Sequence, residues 1–275
     1  MTTALVPRTG VAAGVPYVAV PPVMPSPSAP VVVAWHMLDA PRTERSLAAA
    51  LPLDGLDAWR VYLGLPMSGS RLPAGGLEEL MRLGYEDAVR NLYGPIIGQA
   101  AEEFEVAWPV LRKTLRLGDG PVGVLGGSGG AAVAQLVLAE GGLRAGAAVL
   151  VSPLVQLRAA VDAIGRQFGV SYPWSAPSLA VAHRLDFVVR ADEIAAHGNP
   201  AVLLVVGAED DEEGFRLPAA RLGDALSARS EVDMVVVPGM VHALAEEPGM
   251  DPAPQTPHAA VIDRLAVDWL RRHLL

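Results

Sequence analysis

The chain has 275 residues, 51% of them hydrophobic, which is enough for one large α/β domain covering residues 1–275 with a sheet buried on both faces. Its net charge of −9 disfavours nucleic acid and anionic membrane surfaces as partners, because phosphate binding needs clustered cations. The absence of cysteine excludes disulfides, thiolate metal sites and cysteine nucleophiles.

The first eight residues show no basic cluster followed by an apolar core. No apolar run approaches the ~18 residues of a membrane span, so a cytoplasmic location is expected. Residues 17–20 read as a short edge strand, and the prolines between Pro21 and Pro30 as an extended connector. Residues 31–35 form the next strand. A short helix is predicted over 43–51, with Thr43 as a candidate N-cap and Glu44 in the first turn. Another strand follows at 59–63. Residues 64–76 form a Gly/Ser/Pro loop too long for a simple turn. Helical patterns then occupy 77–93 and 96–117, the second with a kink expected at Pro109.

After the strand that begins at Val122 comes Gly126-Gly127-Ser128-Gly129-Gly130, which passes directly into an Ala-rich helical pattern. This G-x-S-x-G between strand and helix reads as a nucleophile elbow: the sharp turn lifts the serine hydroxyl above the sheet, and glycines avoid the clashes of a tight strand-to-helix turn. Two other readings weigh against it. One is a structural Gly-rich turn. The other is a dinucleotide fingerprint, since Gly127, Gly129 and Ala132 match G-x-G-x-x-A. That fingerprint needs an acid about 20 residues on, at the end of the next strand, and here the strand over 147–151 ends in Ser152-Pro153. A second match, from Gly118 to Gly123, precedes its strand and reads as a turn.

An unaided serine hydroxyl is too weakly acidic to attack, so a nucleophilic Ser128 needs a histidine base and a carboxylate to orient it. On a doubly wound, mostly parallel sheet these lie on later loops, in the order serine, acid, histidine. The apolar strand over 200–207 is followed by Glu209-Asp210-Asp211. The strand over 232–239 is followed by Met240-Val241-His242. Asp210 is the better orienting group, three residues beyond Gly207, while the neighbouring acids also suit a helix cap. Of the other histidines, His183 and His197 precede the acid and His258 and His273 belong to the final helix. His36, at the end of an early strand, could lie near the site.

Residues 154–199 exceed what one crossover helix needs. Leu154, Leu157, Val161, Ile164 and Phe168 recur at helical spacing, Ser171-Tyr172-Pro173-Trp174-Ser175 interrupts them, and a second helical pattern covers 179–194. The segment is a candidate helical cap over Ser128 with Tyr172 and Trp174 as substrate-binding residues. The alternative is that the stripe only packs on the sheet.

Taken together, Gly126-Gly127-Ser128-Gly129-Gly130, Gly207-Ala208-Glu209-Asp210 and Gly239-Met240-Val241-His242 resemble the α/β-hydrolase superfamily of serine hydrolases. The likeness in element order runs from about Tyr17 to Leu275, and the double-glycine elbow is similar to the dienelactone hydrolase and prolyl oligopeptidase-like branch. The resemblance implies an α/β fold with helices on both faces of a mostly parallel sheet. It also implies a carboxylic ester or amide hydrolase acting through Ser128, His242 and Asp210, on a small-molecule substrate, with no cofactor and no metal. A peptidase, or a non-catalytic ligand-binding module on the same fold, are the alternatives. The family's oxyanion hole uses the amide after the nucleophile, here Gly129, and one from the loop after the third strand. That loop often begins His-Gly, whereas here it reads His36-Met37-Leu38-Asp39. Met37 is the expected donor, with Leu38 the alternative.

Overall fold

The apolar runs become one sheet of eight strands: β1 (Arg8–Ala12), β2 (Val15–Val20), β3 (Val31–Trp35), β4 (Trp59–Leu63), β5 (Val122–Gly127), β6 (Ala147–Val151), β7 (Ala201–Gly207) and β8 (Val232–Val237). The computed structural model describes residues 6–275. Residues 1–5, part of the stretch read for a targeting signal, lie outside the described residues. The order is β1-β2-β4-β3-β5-β6-β7-β8. The strands from β3 onward pair in parallel, and β1 and β2 add an antiparallel edge.

Strand β1 has no counterpart among the expected elements, since only Val11 and Ala12 of its five residues are apolar. Ala13 and Gly14, at φ +47° and +88°, close the two-residue hairpin to β2. Of that pair only Gly14 is a turn signal in the sequence.

Alternation along the strands feeds two cores. Val31, Val33 and Trp35 of β3 face one, and Val32 and Ala34 face the other. Helices α1 (Glu44–Ala50) and α9 (Pro257–Leu274) cover the second face. Helices α3 (Gly94–Leu115), α4 (Gly129–Ala139), α5 (Leu157–Gln167), α7 (Ala191–Ala196) and α8 (Leu217–Leu226) cover the first. Thr43 caps α1 reciprocally with Ser46.

Two helical expectations change. The pattern over 77–93 breaks into α2 (Gly76–Asp87) and a π-helical turn, Ala88–Tyr93. The Asp87 carboxylate accepts the Arg90 amide at 2.9 Å and caps that new turn. The segment 154–199 holds three helices, α5, α6 (Ala176–Arg184) and α7, with a break at 185–190. Helix α7 packs on α4 and α8, and α6 packs on the 88–93 turn. Phe168 is 76% exposed, so the buried stripe ends before it.

The chain runs from β3 outward to β4, then crosses back and builds β5 to β8 on the other side of β3. The strand order therefore reverses between β3 and β5, which is where open α/β sheets bind ligands at their carboxyl ends. Ser128 follows β5 at that point, and the loop beginning at His36 follows β3. The two are in direct contact, since a Cβ on Gly130 would strike the carbonyl oxygens of Trp35 and His36. One on Gly126 would lie 2.5 Å from the Ala131 Cα. Gly130→Ala should therefore lower stability by at least about 2 kcal/mol in urea unfolding, because the obstacle is backbone that cannot turn aside. A loss below about 0.5 kcal/mol would refute this close approach.

Candidate active site

Ser128 sits between β5 and α4 with φ +47° and ψ −116°, a conformation that costs a non-glycine residue energy and is held by its surroundings. Its amide donates to the Val151 carbonyl at 2.9 Å, and its carbonyl accepts the Ala132 amide at 3.1 Å. The turn is thereby pinned between β6 and the first turn of α4, and the hydroxyl is left on the outer side.

His242, on the loop after β8, lies with Nε2 2.8 Å from Ser128 Oγ and Nδ1 2.8 Å from Asp210 Oδ2. The Asp210 side chain is 2% exposed. Its other oxygen accepts the Asp211 amide at 2.8 Å. Of the acidic run, Asp210 alone holds the imidazole, while Asp211 caps the π-helical turn Glu212–Arg216 by accepting the Gly214 amide at 2.7 Å. The Phe215 ring packs on the imidazole with centroids 4.2 Å apart. Burial lowers the His242 pKa, but the Asp210 hydrogen bond and charge, with a further contribution from Asp39, outweigh it and leave the pKa raised.

The loop after β3 corrects one expectation. The Met37 amide donates to the Pro41 carbonyl at 3.2 Å, and the Met37 side chain is buried in the core. That amide is committed and cannot serve an oxyanion. The Leu38 amide has no hydrogen-bond partner among the described residues. Leu38 also lies directly over the elbow, since a Cβ on Gly129 would come 2.7 Å from its Cγ. Gly129 opens α4, where backbone amides are unpaired and the helix dipole is positive. Leu38 and Gly129 thus both carry unpaired amides where the loop after β3 meets the elbow.

His36 is fully buried and has no part in the Ser128 hydrogen-bond line. The Leu65 amide donates to its Nε2 at 3.0 Å, so the proton resides on Nδ1, which donates to the Met37 carbonyl at 2.7 Å. Burial pushes its pKa down to about 4, against a smaller opposing effect of the Met37 bond, and the ring is neutral.

A cleft of about 430 Å³ opens beside this site. Leu38 and Asp39 are among the residues that line it, with Asp39 Oδ2 3.7 Å from His242 Nε2. Met67, Leu72, Leu80 and Tyr93 make its walls apolar. Arg42 and Glu247, joined by two 3.0 Å bonds, also line it. Most of the lining comes from the segment 64–96, whose loop and α2 carry no functional expectation from the sequence. The signal the sequence carries is an apolar-faced helix next to a Gly-rich loop; that α2 has no buried residue is visible only in the structure.

Tyr172 and Trp174, expected against the substrate, are not among the residues lining this cleft. Their rings pack edge to face with centroids 4.7 Å apart. The Tyr172 hydroxyl donates to the Asp87 carboxylate, and Trp174 Nε1 donates to Asp162 Oδ1 at 2.9 Å. Each aromatic has joined its apolar body to the other and its polar tip to an acid, which ties the 168–175 turn to α5 and to the end of α2. Burial and the Asp87 bond both raise the Tyr172 pKa. Among the described residues no three His, Asp or Glu side chains are grouped to hold a metal ion, and no helix is long and apolar enough to cross a membrane.

The architecture is the α/β-hydrolase fold. No family model and no curated protein matches the sequence. Solved structures do match. A carboxyl esterase of the fungus Tuber melanosporum aligns at 17% identity over 100% of this chain and 89% of its own, with a TM-score of 0.60. A puromycin-hydrolyzing peptidase of Mycobacterium tuberculosis aligns at 17% identity over 98% of this chain but 40% of its own, with a TM-score of 0.65. A dienelactone hydrolase of Anabaena variabilis aligns at 17% identity over 98% and 99%, with a TM-score of 0.55.

The balance at His242 can be read directly. In an NMR titration its midpoint should lie above that of an ordinary histidine, and Asp210→Asn should move it down, because burial then acts with less opposition. A midpoint that rises or stays in Asp210→Asn would refute Asp210 as the main charge partner.

Proposed function

We propose that the protein is a serine hydrolase that cleaves carboxylic esters through an acyl-enzyme. The observation that carries this reading is the unbroken line Asp210–His242–Ser128, with both hydrogen bonds at 2.8 Å and the serine held on its strained turn. That the similar solved structures named above are called esterase, peptidase and dienelactone hydrolase supports the coarser reading of a hydrolase.

In this mechanism His242 Nε2 takes the Ser128 proton as Oγ attacks the carbonyl carbon. Asp210 holds Nδ1–H in place and stabilises the imidazolium that forms. The Gly129 and Leu38 amides receive the negative charge on the carbonyl oxygen, which is usually the largest contribution to rate. His242 then gives its proton to the departing alkoxide. Water repeats the attack on the acyl-enzyme with the same base, releasing the acid. The apolar cleft favours an acyl or alcohol group of some bulk beside the reacting carbonyl. The expectation of a cytoplasmic, cofactor-independent enzyme with a small-molecule substrate belongs to this reading.

A fluorophosphonate probe should label Ser128 alone, as located by mass spectrometry, because activated serines are the ones that react. His242→Ala should lower kcat for a p-nitrophenyl ester by on the order of 10³ or more without unfolding the chain. An adduct elsewhere, or near-normal turnover in the folded variant, would refute the assignment.

One feature favours the peptidase as a second reading. Asp39 Oδ2 lies 3.7 Å from His242 Nε2, and its neighbouring cation is Arg42 at 3.9 Å, already committed to Glu247 and the Pro248 carbonyl. A carboxylate there opposes a developing oxyanion and suits an acyl group bearing an ammonium. Under this reading aminoacyl anilides with a free amine outrun their N-acetyl counterparts, and Asp39→Asn lowers that preference about fivefold or more. No anilide turnover beside ready ester turnover would remove the peptidase.

A further inference from the structure

The loop that supplies the second oxyanion donor contains no glycine, yet it must hold one amide toward Ser128. A trans peptide places its C=O and its N–H on opposite sides. The Leu38 N–H therefore belongs to the same rigid plane as the Met37 carbonyl, and whatever fixes that carbonyl also aims the amide. The group that fixes it is the buried His36 ring, through Nδ1–H at 2.7 Å. The ring cannot swing, because its Nε2 accepts the Leu65 amide at 3.0 Å from just beyond β4.

We propose that His36 is a positioning residue that aims the Leu38 amide at the oxyanion, linking the end of β4 through its ring to the catalytic loop. The proposal rests on the hydrolase reading of Ser128. The next peptide is held as well, since the Arg42 guanidinium donates to the Leu38 carbonyl and is itself anchored on Glu247 and the Pro248 carbonyl. The Met37 amide is spent on Pro41. With the peptides on both sides of Leu38 pinned and the Met37 amide occupied, Leu38 carries the first unpaired amide after β3, and the buried ring decides its direction. Steric restraint and two side-chain bonds take the place of the conformational freedom a glycine would bring.

Two isosteric replacements separate this role from packing. His36→Asn keeps a donor near the position of Nδ1 and leaves the Leu65 amide unpaired. His36→Gln keeps an acceptor near the position of Nε2 and leaves the Met37 carbonyl unpaired. Each loses one buried hydrogen bond to backbone, so both should unfold at lower urea than the native protein. If the ring aims the Leu38 amide, kcat for a p-nitrophenyl ester is at least about tenfold lower in H36Q than in H36N, with KM similar in the two, since the lost contact forms in the transition state. Equal kcat in the two folded variants, or the lower value in H36N, overturns the proposal.

A measurement on the native protein covers the case in which either variant fails to fold. Addition of a trifluoromethyl ketone to Ser128 creates a hemiketal oxyanion, and ¹⁵N–¹H spectra should then show the Leu38 and Gly129 amide protons moving downfield while Met37 stays. A moving Met37 beside a still Leu38 overturns the proposal and leaves the hydrolase reading intact. Failure of both the ketone and a fluorophosphonate to add to Ser128 overturns the hydrolase reading, and the positioning role with it.

Discussion

Gly130 lies against the carbonyl oxygens of Trp35 and His36 with no room for a Cβ between them. This contact brings the start of α4 onto the end of β3, and most of the site depends on it. It joins the two sides of the point where the strand order reverses. The elbow then shares one small volume with the loop 36–41, so that the Leu38 side chain overhangs Gly129 and the Asp39 carboxylate reaches His242. A helix shifted outward by the width of one methyl group would separate nucleophile and loop amide, and no rearrangement of side chains could restore a backbone donor.

Charge is arranged around His242 with the same economy. Asp210 is buried on the Nδ1 side, where its charge is poorly screened and its geometry is fixed. Asp39 is half exposed near Nε2, where solvent weakens it. The two acids raise the imidazole's proton affinity by unequal means, one through a short hydrogen bond and one through space, against the burial that lowers it. The first is suited to orientation. The second is suited to meeting a positive group on a substrate. In contrast, His36 has no charged partner and is held neutral by burial, which suits a ring that must keep one donor and one acceptor.

The cleft beside the elbow is lined mostly by residues 64–96, with the loop after β3, Glu247 and Met250, and not by the longer insertion after β6. Helix α2 has no buried residue, yet Leu80 on it lines the cleft, and its end is tied down by Asp87. Asp87 serves two purposes, capping the π-helical turn and accepting the Tyr172 hydroxyl. The aromatic turn at 171–175 therefore contributes by anchoring the wall of the cleft from outside.

The sequence by itself determined the parallel strands, the elbow and the order of acid and histidine. Strands buried on both faces are continuous apolar runs, and the groups that matter follow their ends within a few residues, as Ser128, Asp210 and His242 do. Local chemistry also settled the start of α1, where Thr43 needed only Ser46. Tertiary structure decided whatever depended on partners distant in the chain. The choice between Met37 and Leu38 turned on the Pro41 carbonyl and on a ring held by Leu65. The direction of Tyr172 turned on Asp87, 85 residues away. The walls of the cleft came from a loop and a helix whose periodicity records only that one face is apolar. Periodicity and spacing report what a residue does along its own element. Which buried amide stays free, and which apolar face meets a cleft instead of a core, is set by what the rest of the chain brings against it.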